Sequence, residues 1–170
     1  MNSFTIGGIE VTLRASASWN QQYRPKAIGT DHNMGDGGSV RQTLAGSVGK
    51  LRTVIEGNGF TPVGIAGLDY TSSMTLKCAE PRIVTGATTT IVIPANRRAD
   101  DAPAGFAIVD GEQVSTPISI VTNTVTLTAV SGATAYQVEY VPEITVLADL
   151  VEGFNTTSGI HTWTLTCTEV

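Results

Sequence analysis

A serine, an aspartate and a histidine occur in the chain order of an α/β-hydrolase triad: Ser47, Asp149 and His161. Ser47 lies in Ala45-Gly46-Ser47-Val48-Gly49, a near miss for the G-x-S-x-G elbow. That elbow needs a strand before the serine and a helix after it. Here an alanine holds the first glycine position, and Lys50 to Glu56 reads as strand, so the segment is expected to be a loop between two strands. Gly49-Lys50 resembles the end of a phosphate-binding loop, but Leu51 and Leu44 stand where that loop needs a hydroxyl and a glycine. Asp31-His32-Asn33-Met34-Gly35-Asp36 spaces oxygen ligands as calcium loops do, yet Gly35 and Gln42 hold the places of two required carboxylates. His32 and His161, with Cys78 and Cys167, lack zinc-site spacing. No cofactor, no metal and no enzymatic activity is expected.

The densest charge cluster is Arg97-Arg98 with Asp100-Asp101, inside the polar segment 95–105. One reading is a solvated loop tip. The other is a contact between subunits, where mixed charges set register through complementary pairs. Gln137, Glu139 and Val141, on the outer side of an alternating run, join Arg97, Arg98, Asp100 and Asp101 as candidate interface residues.

Composition narrows the setting. Only 15% of the 170 residues are charged, against roughly 25% in an average domain. The net charge of −5 argues against a general nucleic-acid binder, which needs a basic face. The first residues show no basic and apolar leader pattern. No apolar run approaches the roughly 20 residues of a membrane span. Two cysteines allow one disulfide, but two small buried thiols are the expected state. Asn155-Thr156-Thr157 fits a glycosylation pattern, read as chance without a leader.

The elements that position these groups are almost all strands. Phe4, Ile6, Ile9, Val11 and Leu13 alternate around Gly7-Gly8, which makes a tight hairpin or a bulge. Residues 28–39 are glycine-rich and read as a mobile loop. Val40 to Leu44 and Lys50 to Glu56 are strand-like, with Leu51, Thr53 and Ile55 facing one way and Lys50, Arg52, Val54 and Glu56 the other. One short helical turn is expected within 65–70. Met74, Leu76 and Cys78 alternate up to Pro81. Then come Thr89 to Ile93, Phe106 to Val109 before the hairpin pair Asp110-Gly111, and Val114 to Val121 facing Thr124 to Val130. From Ala135 one long strand is expected to run through Pro142 to Leu147. A polar loop over 152–159 precedes the last strand, 161–169, on which Trp163, Leu165 and Cys167 share a face. Trp19 and Trp163 are read as core, or otherwise as interface anchors. Turn signals every 8 to 12 residues predict a sandwich or barrel. Such sheets have edges that pair with other chains unless closed, and a ring of identical subunits closes them.

Three stretches together resemble distal tail and other tail-tip ring proteins of long-tailed bacteriophages. They are FTIGGIEVTLRASASWNQQY, KLRTVIEGNGFTPVGIAGLDYTSSMTLKCAEPR, and YQVEYVPEITVLAD with HTWTLTCTEV. The resemblance implies an all-β, tail-tube-like sandwich or barrel with a β insertion and at most one short helix. It assigns 1–81 and 136–170 to a ring-forming core and 82–135 to an insertion or peripheral lobe. It also implies a homo-oligomeric ring, six-membered in that family, at the distal end of the tail. Its partners would be the tail tube protein, the tail-tip or hub protein and the tape measure protein. DNA would pass through the channel without specific binding, and the chain would reside in the virion after assembly in the host cytoplasm. Two other readings stand beside it: another virion component, either a tail tube subunit or a capsid decoration protein, and a carbohydrate-binding module.

Overall fold

A computed structural model describes residues 3–12, 18–26, 29–33, 39–43, 49–62 and 64–170. The chain is all-β, as its turn spacing predicts. The strands run, in chain order, β1 (Phe4–Ile6), β2 (Ile9–Val11), β3 (Ser18–Pro25), β4 (Gly29–Asn33), β5 (Ser39–Thr43), β6 (Leu51–Gly59), β7 (Met74–Lys77), β8 (Arg82–Gly86), β9 (Thr90–Val92), β10 (Ala104–Val109), β11 (Glu112–Ser115), β12 (Ile118–Val121), β13 (Thr124–Leu127), β14 (Ala133–Tyr140), β15 (Glu143–Asn155) and β16 (Ile160–Glu169). A single 3₁₀ turn, Ile65–Gly67, is the helical element of the described residues. The chain folds into two units, one of Met1–Thr5 with Leu76–Ile144 and a second of Ile6–Thr75 with Thr145–Val170.

The first unit is a small sandwich. A four-stranded sheet, β11-β10-β14-β8, and a three-stranded sheet, β12-β13-β9, enclose Ile91, Ile93, Ala107, Val125, Leu127, Tyr136, Val138 and Tyr140. Period-two alternation puts these on the inner faces, and burying each large side chain contributes about 1.5–3 kcal/mol. Two-residue turns set the registers. Asp110 and Gly111 both have positive φ, 53° and 85°, between Val109 and its partner Glu112. That is the primed turn whose twist suits a hairpin. The Thr122-Asn123 turn forces Thr122 to φ 57° between Val121 and Thr124. Gly105 lies where the backbone comes closest to its neighbours. A Cβ there would collide with Ile118 Cγ2 and sit 3.0 Å from Leu127 Cδ2.

The second unit is built on a seven-stranded sheet of order β2-β1-β7-β15-β16-β6-β3. The Gly7-Gly8 pair makes a hairpin, with φ 54° and 84°. One face of the sheet carries Ile6, Val11, Leu51, Ile55, Val146, Trp163, Leu165 and Cys167, all buried. Thr53 is buried among them because its hydroxyl is satisfied twice. It accepts from Gln21 Nε2 at 3.0 Å and donates to the Gln22 carbonyl at 2.9 Å. Gly57 leaves room for the Trp163 indole, whose ring occupies the place a Cβ would take. The 3₁₀ turn is held by Tyr70, whose hydroxyl donates to the Ile65 carbonyl at 2.7 Å. Burial pushes the Tyr70 pKa up to about 12.

Four expectations change. The long strand is two strands: β14 ends at Tyr140 in the four-stranded sheet, and β15 starts at Glu143 in the seven-stranded one. Pro142 has no N–H for a ladder. Its carbonyl instead accepts from Cys78 N at 2.9 Å, while the Val141 carbonyl accepts from Arg98 N at 2.8 Å. The run from Val114 to Val121 breaks likewise at Thr116-Pro117, and β11 and β12 belong to different sheets. The expected mobile loop over 28–39 contains β4, which pairs with β5; residues 28 and 34–38 lie outside the described residues. The expected loop over 152–159 is ladder as far as Asn155, paired with Ile160. Both cysteines are free and buried.

Candidate functional site

The charged segment between β9 and β10 closes on its own unit. Arg98 is buried. Its Nη1 donates to the carbonyls of Ser3 at 2.9 Å and Cys78 at 2.7 Å, and its Nε and Nη2 donate to the two Asp100 carboxylate oxygens at 3.0 and 3.2 Å. Lys77 Nζ reaches the same carboxylate at 3.1 Å. The Arg98 hydrogen bond holds the Asp100 carboxyl well below the usual carboxylate range. The same bond, working against burial, raises the Arg98 value. Arg98 and Asp100 therefore form an internal clamp that engages four of the five guanidinium N–H donors within the unit. Arg97 makes a single antiparallel bridge to Pro142. Asp101, Glu139 and Val141 line one cavity of about 220 Å³ with Ala79, Pro81, Ala102, Ala104 and Tyr140. Gln137 lies on the outward side of β14 and accepts from Gln113 Nε2 at 2.7 Å. The seven candidate interface residues thus divide among a clamp, a bridge, a cavity and a surface pair.

The second unit holds an arrangement of another kind. Its seven-stranded sheet buries one face and leaves the other open over four strands. On β16, Trp163, Leu165 and Cys167 point inward, so Thr162, Thr164, Thr166 and Thr168 point outward. On β6, the outward residues are Arg52, Val54, Glu56 and Asn58. On β15, Leu147 and Val151 stand outward at 46% and 60% exposure, with Asp149 between them. On β3, Ser18, Asn20, Gln22 and Arg24 complete the face.

Strand pairing orders these side chains into rungs. The first is Leu147–Thr168–Arg52–Arg24, the second Asp149–Thr166–Val54–Gln22, the third Val151–Thr164–Glu56–Asn20, and the fourth Gly153–Thr162–Asn58–Ser18. Thr164, Glu56 and Asn20 of the third rung and Thr162, Asn58 and Ser18 of the fourth, with Trp19, Gly57 and Trp163, line a depression of about 350 Å³. Glu56 is the charged group of that lining. The depression is suited to accept hydrogen bonds and positive charge: it offers a carboxylate, two amides and three hydroxyls. The alternation of β6 was readable from sequence. The neighbours in a rung come from strands up to about 140 residues apart in the chain, and no local pattern announces them.

The hydrolase order of Asp149 and His161 does not become a site. Asp149 pairs with Thr166, whereas His161 pairs with Phe154 and lies against its ring, tilted by 42° at a centroid distance of 4.5 Å. Five residues of strand, about 17 Å, separate the two levels, and the side chains leave opposite faces. Ser47 lies outside the described residues.

Beyond the open face, β15 and β16 continue as an arm. From Val151 to Thr162 each residue is exposed, although the ladder persists to Asn155 and Ile160. Asn155 closes the tip, its side-chain oxygen accepting from the Thr157 and Ser158 amides at 2.9 and 3.1 Å. Val151, Phe154 and Ile160 lie exposed along it. No protein-family profile, no curated protein and no solved structure matches the chain. No helix among the described residues is long and apolar enough to cross a membrane.

Proposed function

We propose that this chain is a virion structural protein: a subunit of a ring, six-membered in the proteins it resembles, at the distal end of a bacteriophage tail. In this reading the ring joins the tail tube protein to the tip or hub proteins. It leaves a channel for the tape measure protein and for DNA that slides without specific binding.

The observation that carries the reading is the exposed β15–β16 arm. A two-stranded ladder with large apolar residues on its surface is marginal in water by itself, and exposed apolar patches mark contact sites. An adjacent subunit that covers Phe154 and Ile160 removes that cost. The strand that the sequence suggested for this pairing, through Pro142, is interrupted, so the arm takes its place in the proposal. The sandwich of the first unit then acts as the lobe that decorates such a ring.

The test is electron microscopy of the purified chain, with antibody labelling of the parent particle. Closed rings, and label at the tail end, are the expected results. Single copies at every concentration, or label on the head, would sink the reading.

A further inference from the structure

Two charges on the open face of the second unit, Arg52 and Glu56, stand in a self-complementary order, while Arg24, on the rung of Arg52, would fall over Asn20 of a facing copy. Along β6 the outward residues read Arg52, Val54, Glu56. Leu147 and Thr168 share the rung of Arg52, and Val151 and Thr164 share the rung of Glu56. Consider a half-turn about an axis lying along the middle rung, in the plane between two such faces. It sets the first rung of one copy over the third rung of the other. Arg52 meets Glu56 of the second copy, and Glu56 meets its Arg52. Leu147 meets Val151, so apolar side chains that are 46% and 60% exposed cover each other. Thr168 meets Thr164, and Val54 and Thr166 meet their own counterparts.

We infer that this face is a two-fold contact between copies of this chain, with Arg52 of each copy reaching the depression that holds Glu56 of the other. Faces of packed sheets stand about 10 Å apart, a gap that an arginine and a glutamate span together. Isologous contacts require this kind of self-complementarity, residue i to j and j to i. Four strands about 4.8 Å apart and seven residues long present roughly 450 Å² per copy, the low end for a specific interface. One element opposes the contact: Asp149, on the middle rung, meets Asp149 of the second copy. The contact is therefore weak and reversible, and its strength depends on that charge. It uses a sheet face, whereas the proposed ring uses the arm, so neither depends on the other.

Sedimentation velocity of the full chain over a concentration series tests it. Arg52→Glu and Glu56→Arg each place two like-charged pairs in the contact, and each should weaken self-association about tenfold or more. An equimolar mixture of the two variants should regain it, because the mixed pair is complementary again at both positions. Asp149→Asn should tighten association severalfold. Circular dichroism confirms that these exposed substitutions leave the fold intact, and the mixture supplies a gain that misfolding cannot mimic. A wild-type chain that never associates, or variants that associate as it does, or a mixture no stronger than its components, would overturn the inference. A ring that forms in Arg52→Glu, with the variant associating as the wild type does at every concentration, upholds the ring and removes this contact. A dimer dissolved by both variants, without rings, does the reverse.

Discussion

The two units treat charge in opposite ways. In the sandwich, both sheets have an inner face, and the buried Arg98 has four of its five guanidinium N–H donors engaged within the unit by Ser3, Cys78 and Asp100. In the seven-stranded sheet, Arg52, Glu56 and Asp149 lie on an open face, in contact range of whatever lies above it. The charges of the sandwich hold one chain together. Those of the open sheet lie at its surface, where the inferred two-fold contact would use them.

The largest expected effect breaks this contrast on the sandwich side. Arg98→Met leaves two carbonyls without their charged donor and Asp100 without its main partner. Losing such bonds costs about 3 kcal/mol in all. Arg52→Met should change stability by less than about 0.5 kcal/mol. Chemical denaturation with unchanged m-value checks both, and similar losses for the two would erase the distinction. Gly105→Ala comes next. Its methyl would collide with Ile118 Cγ2, and overpacking of this kind costs about 2 kcal/mol. A denaturation midpoint equal to wild type would show that the sandwich yields locally.

Smaller still is an acid effect. The folded-state pKa of Asp100 is depressed by Arg98. Its stabilisation is therefore complete above the unfolded value near 4 and lost as pH falls below it. The carboxylate is 47% exposed, so solvent screening limits the term to under about 1 kcal/mol. Asp100→Asn should lie below wild type in stability at neutral pH and converge with it on acidification. A gap that stays constant from pH 6 to about pH 2 would contradict the clamp.

Where the sequence was legible, period two made it so. The inward sets Leu51, Thr53, Ile55 and Trp163, Leu165, Cys167 follow from alternation alone, and Gly7-Gly8 and Asp110-Gly111 mark hairpins because few residues accept positive φ. It misled at Pro117 and Pro142. Alternation continues across each proline, so one strand is read, while the missing donor lets the chain leave one sheet and enter another. β3 was missed because SWNQQYRP has a single fully buried position, Gln21. The rungs of the open face depend on register between distant strands, which the sequence does not state.

The claim that the chain functions as associated copies is tested most directly by light-scattering mass as the concentration of the purified chain is raised. The expected result is a mass that climbs above that of one chain and levels at a fixed multiple of it. A mass that stays at one chain throughout would contradict the account.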